Sequence, residues 1–340
     1  MRPSPSAIYC NLSLLGPQLA YAHSRQACTV DPGTSVAEQA MAVRRVDSQH
    51  VVHTIRAMPH GTLNHLLVCT DDGVQVWDRQ VKTLLFSWAF PEPERPAPGA
   101  PPPPSGQASG VGLRHALFAR GAAMNIACDG SANMCFGASN GCLYVLEFDE
   151  SGRLRGPTRF PHHTAPITAL SSAYASRQGR WTDDLGSSLV SADESGSLTV
   201  WEAASASSYK AVASLGEAKV PAVALAVRQE FVVAARLDGC IQVFSLRSKV
   251  LRAELAAHSR FLTCMDIHPT KDIIVTGAED GSISVMTLPI GAQKTSSLLS
   301  VLWMHAPVAG VAFCGTHLDD VAAVAYDTDE LQLYRTTCPT

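Results

Sequence analysis

The sequence predicts an all-β protein, a seven-bladed β-propeller with four-stranded antiparallel blades, and three observations support this prediction. One hairpin phrase recurs along the chain, its later copies are about one blade length apart, and short apolar strands flank the copies. The 340 residues are 46% hydrophobic and 16% charged, so the chain can bury a large core. We therefore expect residues 1–340 to form a single propeller domain.

The recurring phrase reads as a β-hairpin. A short apolar run is followed by an acidic residue or asparagine with glycine, and then by alternating apolar residues that end on a large one. Asn-Gly and Asp-Gly pairs tolerate the positive φ that tight turns between twisted strands require. The alternation gives the second strand two different faces. Six copies end at Trp77, Leu146, Trp201, Phe244, Met286 and Tyr334.

The spacing of the copies predicts the number of blades. Successive closing positions are 69, 55, 43, 42 and 48 residues apart, and the later values match one blade of about 40–45 residues. The two larger values predict insertions between strands. Inner strands are expected at 167–170, 222–227, 262–267 and 308–313, and outer strands at 250–255 and 297–303.

The N-terminal region supplies the seventh blade. Four short strands are expected at 11–15, 19–23, 26–30 and 41–46, although the hairpin phrase is degraded there. The last blade ends after its third strand, near Thr337. We therefore expect residues 6–10 to add as its outer strand, which would close the ring and remove an open edge.

Two blades carry polar residues in a recognisable order: His163, Ser191 and Trp201 in one, and His258, Thr276 and Asp280 in the other. This order resembles the WD-repeat family. There a buried network links a histidine before the inner strand, a serine or threonine, a turn aspartate and a closing tryptophan. The resemblance implies a WD40-type propeller with these six residues in structural roles. Ser195 stands where the first blade should have its aspartate, and Met286 replaces the tryptophan of the second.

Three strings, at 10–15, 117–123 and 195–201, narrow the resemblance to one branch of that family. The resemblance implies a stand-alone propeller that serves as an assembly or adaptor subunit. It brings no catalytic residues that could be carried over to this chain.

The search for catalytic and metal-binding motifs favours a protein that is not an enzyme. No phosphate-binding loop, nucleophile elbow or zinc-protease motif is present, so we expect no catalytic, cofactor-binding or metal-binding residues. The ten cysteines form no C-x-x-C pair, and reduced, buried thiols are expected. His162 and His163 would point to opposite faces of a strand, so a metal pair is disfavoured.

Charge and hydropathy restrict the partners. A net charge of −4 gives no reason to expect nucleic acid or an anionic membrane. No secretory signal or apolar stretch of bilayer-spanning length is visible. We expect a cytoplasmic protein that binds other proteins and no small-molecule substrate.

A proline-rich insert at residues 91–110 can be neither sheet nor helix, since proline lacks the amide hydrogen. It is interpreted either as an unstructured loop or as a docking segment for a partner. Its candidate docking residues are Pro91, Pro93, Pro96, Pro98, Pro101, Pro102, Pro103 and Pro104.

The favoured function is a non-enzymatic scaffold or adaptor in a multi-protein assembly. From the family resemblance we expect a cytoskeletal, ciliary or flagellar axonemal setting, with microtubule-associated partners. Two alternatives stay open. One is an adaptor or substrate receptor in the ubiquitin system, because Trp77-Asp78-Arg79 is similar to a W-D-x-R motif with the arginine one position early. The other is a propeller hydrolase with a funnel-shaped active site.

Overall fold

The computed structural model describes residues 8–31, 44–47, 50–60, 63–91, 117–172, 188–216, 219–290, 295–315, 319–328 and 330–335. These residues form strands joined by turns, and no helix is found among them. The described part of the chain therefore contains no helix long and apolar enough to cross a bilayer. The strands are grouped in seven antiparallel sheets, the blades.

The first three blades follow one another along the chain, each with its strands in sequence order. Blade 1 contains β1 (Ser13–Leu15), β2 (Gln18–His23), β3 (Gln26–Val30) and β4 (Arg44–Asp47). Blade 2 contains β5 (Val52–His60), β6 (Leu63–Thr70), β7 (Gly73–Trp77) and β8 (Leu84–Ala89). Blade 3 contains β9 (Ala119–Ile126), β10 (Ala132–Ala138), β11 (Cys142–Phe148) and β12 (Leu154–Pro161).

The remaining blades repeat the same order. Blade 4 contains β13 (Ile167–Ser172), β14 (Ser188–Asp193), β15 (Leu198–Ser205) and β16 (Ser208–Ser214). Blade 5 contains β17 (Ala222–Arg228), β18 (Phe231–Arg236), β19 (Cys240–Ser245) and β20 (Leu251–Ala256). Blade 6 contains β21 (Leu262–Ile267), β22 (Ile273–Ala278), β23 (Ser282–Thr287) and β24 (Leu298–Trp303). The described part of blade 7 contains β25 (Val308–Cys314), β26 (Asp320–Ala325) and β27 (Leu331–Tyr334).

The seven blades form a closed ring. Each inner strand (β1, β5, β9, β13, β17, β21 and β25) lies against the next, and β25 lies against β1. The prediction of a seven-bladed propeller is therefore confirmed, including the blade assigned to the N-terminal region. The spacing of the hairpin phrases predicted two insertions. Residues 92–116 and 173–187, which lie in these two intervals, are outside the described residues.

Burial within a blade follows the sequence pattern. The middle strands β22 and β23 are buried at every position, since they pack against neighbouring blades on both faces. The outer strands β20 and β24 alternate between exposed and half-buried residues. A strand with one wet face is typical of the outer rim of a sheet protein, where only one face packs on the core.

The predicted closure of the last blade by an N-terminal strand was wrong for the residues that are described. Residues 8–10 form no strand, and they contact inner strands instead of the rim. The Cys10 amide donates to the Thr263 carbonyl of β21 at 3.1 Å, and the Asn11 amide donates to the Ala309 carbonyl of β25 at 2.8 Å. The segment therefore lies against the centre of the ring, where Cys10 is buried.

The ring is closed by side-chain packing between blades 1 and 7. Leu12, Leu19 and Tyr21 of the N-terminal region share one buried apolar cluster with Ala312 and Val324 of the last blade. Burial of apolar area stabilises such a seam by roughly 25 cal/mol per Å². The N-terminal apolar residues thus contribute to closure, but through packing at the inner side and not as a fourth strand of blade 7.

Candidate functional site

Among the described residues, blade 4 holds a buried polar cluster that contains a histidine, a serine, an aspartate and a tryptophan. His163 Nε2 lies 2.6 Å from Ser191 Oγ, and the Trp201 indole N–H donates to the same oxygen at 2.8 Å. His163 Nδ1 lies 2.7 Å from Asp193 Oδ2. All four residues are buried. A buried polar group needs such partners, because an unpaired one costs about 1–3 kcal/mol.

The aspartate of this network is Asp193, and the assignment of that place to Ser195 was wrong. Asp193 ends β14, and its Oδ1 accepts the backbone N–H groups of Ser195 and Ser197 and the Ser195 hydroxyl. One carboxylate therefore closes the turn and holds the histidine. A signal for this was present in the sequence, since Asp193 stands three residues before Gly196, as in an aspartate-capped turn.

Burial dominates the acid–base chemistry of the blade 4 network. It lowers the pKa of His163 more than the adjacent Asp193 carboxylate raises it. The imidazole is therefore neutral at physiological pH, with one nitrogen donating and the other accepting. Such a histidine is suited to linking Ser191 and Asp193, which is the structural role that the resemblance implied.

Blade 6 contains an incomplete version of the same cluster. His258 Nε2 lies 2.8 Å from Thr276 Oγ1, and His258 Nδ1 lies 2.9 Å from Ser282 Oγ. The Ser282 hydroxyl donates to Asp280 Oδ1 at 2.6 Å, so the aspartate reaches the histidine through a serine. Met286 lies where blade 4 has its tryptophan, and its side chain has no N–H group to donate.

Both histidines are positioned by the hairpin turn of the preceding blade. The His163 amide donates to the Gly141 carbonyl at 3.1 Å, and the His258 amide donates to the Gly239 carbonyl at 3.2 Å. Each glycine has a positive φ, and an added Cβ would lie 2.1–2.2 Å from a histidine carbonyl oxygen. Glycine is therefore required there both for conformation and for space.

The centre of the ring is occupied by the N-terminal segment. The guanidinium carbon of Arg120 lies 5.2 Å from the centroid of the Tyr9 ring. A guanidinium nitrogen of Arg120 lies 3.5 Å from Glu194 Oε1. Cys10 Sγ lies 3.8 Å from the Val223 carbonyl of β17. Within the described residues, no group of three or more His, Cys, Asp or Glu side chains could hold a metal ion.

Two other features that the sequence pointed to are the proline-rich insert and the Trp77-Asp78-Arg79 sequence. Pro91 is exposed at the end of blade 2, whereas Pro93, Pro96, Pro98, Pro101, Pro102, Pro103 and Pro104 lie outside the described residues. In the Trp77-Asp78-Arg79 sequence, Asp78 Oδ1 accepts the backbone N–H groups of Lys82 and Thr83. This aspartate forms a turn between β7 and β8.

The nine described cysteines form no disulfide bond, and seven of them are buried. Burial raises the pKa of the Cys69 and Cys264 thiols, and it raises that of Cys135 to about 12. These groups are thiols at physiological pH. Because the thiolate is the reactive form, they are poor nucleophiles.

The outer rim carries apolar side chains that no other blade covers. The exposed large apolar residues of the outer strands and their flanks include Leu84, Leu85, Val250, Leu251, Leu298, Leu299, Val301 and Trp303. Four of them lie on β24, and exposed apolar surface of this kind marks interaction sites on soluble proteins. The sequence predicted outer strands at 250–255 and 297–303, which hold all of these residues except Leu84 and Leu85, but it did not identify them as an interaction surface.

The closed ring of seven blades and the His–Ser–Trp–Asp network together define a WD-repeat β-propeller. The chain belongs to the WDR54 family, whose model matches residues 102–336. It is 25% identical over 279 residues to mouse WD repeat-containing protein 54, covering 80% of this chain and 75% of that protein. It is also 25% identical over 274 residues to rat WD repeat domain 54, covering 78% and 73%. The narrower resemblance drawn from the three sequence strings is thus confirmed.

A solved structure shows the same fold in another setting. A chain of the "Crystal Structure of Mitotic Checkpoint Complex" superposes with a TM-score of 0.70, covering 98% of this chain and 90% of that one. The two sequences are 14% identical. At that level of identity the likeness concerns the fold alone.

Proposed function

We propose that this chain is a non-enzymatic scaffold that holds protein partners in a larger assembly. The observation that carries the proposal is the apolar outer rim, above all the exposed residues of β24. The polar residues most suggestive of chemistry, His163 and His258, are engaged in hydrogen bonds within their blades. Membership of a WD-repeat family supports protein partners, and so does the occurrence of a similar propeller in a multi-protein checkpoint complex.

Affinity purification of the tagged chain at its native expression level, followed by mass spectrometry, tests the scaffold proposal. We expect a reproducible set of partner proteins that survives washing at moderate salt, because apolar interfaces are not screened by ions. Recovery of the chain alone would contradict the proposal. A catalytic turnover measured on the purified chain would contradict the claim that it is not an enzyme.

We further propose that this assembly is cytoskeletal, ciliary or axonemal and that the chain works in the cytoplasm. What supports this setting is the family resemblance, and no individual residue adds to it. Tubulin-associated proteins among the recovered partners, together with fluorescence of the tagged chain along cilia or microtubules, are the expected results. Recovery of a cullin adaptor in their place would favour a role in the ubiquitin system.

A further inference from the structure

A groove opens between the outer strands of blades 5 and 6. Its volume is about 540 Å³, within the range of sites that hold a ligand or a few side chains. It is bounded by β20 on one side and by β23 and β24 on the other. The residues that shape it include Leu255, His258, Met286, Leu298, Val301 and Trp303.

Equivalent positions can be identified at the seam between blades 3 and 4. Phe160 of β12 pairs with Leu143, and Leu255 of β20 pairs with Ile241, at the same place in each blade. Each is followed three residues later by a network histidine, His163 or His258. The two seams can therefore be compared residue by residue.

Three ring side chains of the blade 3–4 seam are missing from the blade 5–6 seam. In the first seam His162 lies edge-on to Trp201, with ring centroids 5.3 Å apart, and Phe160 lies 5.4 Å from Tyr209. In the second seam the places of Phe160, His162 and Trp201 are taken by Leu255, Ala257 and Met286. Leu255, Ala257 and Met286 all line the groove, so it lies where smaller side chains replace these rings.

The wall formed by β24 is apolar, as is the outer strand β8 of blade 2. Leu298 and Trp303 are each 61% exposed, and Val301 is 43% exposed. The strand sequence Leu298–Trp303 contains no charged residue, whereas β20 opposite carries Arg252 and Glu254. Outer strands are usually protected from unwanted pairing by charges or proline. An uncharged apolar outer strand beside an open groove is typical of a surface that a partner covers.

The charge of the groove specifies the partner further. Among its described lining residues, Glu254 and Asp280 carry carboxylates, and none is a lysine or arginine. Both carboxylates are exposed. His258 adds no positive charge at physiological pH, because burial lowers its pKa. The groove thus combines an apolar wall with a negative rim.

We propose that this groove binds an apolar segment of a partner protein that carries a lysine or arginine beside a large side chain. The large side chain takes the volume that Trp201 fills in blade 4, against Met286 and Trp303. The basic group pairs with Asp280 or Glu254, which are exposed and face solvent. This inference rests on the proposed scaffold function, since it names the surface and the partner chemistry of that function.

The test uses a random peptide display library panned against the purified full-length chain. We expect enriched peptides to combine a large apolar residue with lysine or arginine. Labelled copies of these peptides are then titrated against Leu298→Lys, which introduces a cation into the groove. A matched control is Leu85→Lys, which changes an exposed leucine on the outer strand of blade 2. Affinity should fall by about 10-fold or more in the first variant, as for loss of an interface anchor, and should be unchanged in the second.

Trp303 provides an independent readout of occupancy. Peptide binding should shift the tryptophan emission of the native chain to shorter wavelength, since the exposed indole becomes covered. Trp303→Phe should remove this shift while retaining measurable binding by fluorescence polarisation. Circular dichroism and thermal unfolding of each variant establish that it is folded, as expected for substitutions at exposed positions.

Several results would overturn the inference. Enriched peptides that are acidic, or that bind Leu298→Lys and the native chain equally, would do so. So would a concentration-dependent dimer of the native chain that Leu298→Lys dissociates, because a second copy would then be the occupant. If affinity purification recovers the same partners with both leucine variants, the groove assignment fails while the scaffold function stands. If no partner is recovered with the native chain, the scaffold function itself fails.

Discussion

Blades 4 and 6 share one backbone design and use it differently. Each has a histidine held by the preceding hairpin turn and a hydroxyl in its second strand. In blade 4 the buried Trp201 and Asp193 complete the network and fill the seam. In blade 6 a methionine closes the third strand and the aspartate is exposed. Completing the network thus stabilises a blade, whereas leaving it incomplete creates surface that a partner can use.

Replacing the two tryptophans tests this difference most strongly. Trp201→Ala should lower the free energy of unfolding by about 3–5 kcal/mol, because a large buried ring and its hydrogen bond to Ser191 are lost. Trp303→Ala should change it by roughly 0.5 kcal/mol or less, since the side chain is largely exposed. Urea unfolding followed by circular dichroism measures both. Similar losses in the two variants would contradict the distinction between a closed and an open seam.

The two aspartates provide the next test. Asp193→Ala removes the partner of a buried histidine and three turn hydrogen bonds, so we expect a loss of about 2–3 kcal/mol. Asp280→Ala should cost about 1 kcal/mol or less, because Ser282 still contacts His258 and the lost carboxylate was exposed. The same unfolding measurement applies. A larger loss of stability at Asp280 than at Asp193 would show that the indirect contact from Asp280 through Ser282 to His258 stabilises the fold more than the direct contact of Asp193 with His163 does.

The sequence was sufficient for the blade architecture but not for the details of the networks. The hairpin phrases located the strands because turn glycines and alternating apolar residues act over a few neighbouring positions. Asp193 was missed because a carboxylate three residues before a glycine can reach both the turn and the histidine, and only the folded turn shows that it does both. The role of residues 8–10 was missed for a related reason, since contacts across the ring join residues that are hundreds of positions apart.

The groove illustrates a second limit of sequence reasoning. Met286 was visible in the sequence as a missing tryptophan, but a single substitution does not show whether a neighbour fills the space. The loss of rings at Leu255 and Ala257 becomes meaningful only when β20 is placed opposite β23. Residues 297–303 were predicted as an outer strand, but the exposure of the individual apolar side chains on β24 depends on which blade lies beside them.

Met286→Trp is designed to convert the open seam into a closed one. The indole can donate to Thr276 Oγ1 and fill part of the groove, so we expect a gain of about 1 kcal/mol in unfolding free energy, as for other cavity-filling changes. The same variant should weaken peptide binding to the groove. A stabilised variant with undiminished peptide affinity would place the peptide elsewhere on the rim.

The smallest expected effect concerns pH, and it isolates the histidine of the open seam. Burial lowers the pKa of His258 in the folded chain, and Asp280 only partly opposes this. The unfolded chain takes up a proton at this histidine near its ordinary pKa of about 6.5, whereas the folded chain does so only at lower pH. Between those values the unfolded state binds more protons, so the contribution of His258 to stability is complete above the window and is lost as pH falls through it.

His258→Gln keeps a side chain capable of hydrogen bonding to Thr276 and Ser282 but does not titrate. Urea unfolding from pH 8 to pH 5 should therefore show a shallower loss of stability in this variant than in the native chain, with the urea m-value unchanged. A steeper loss in the variant would mean that His258 is protonated in the folded state, so that it would offset part of the negative charge of Glu254 and Asp280.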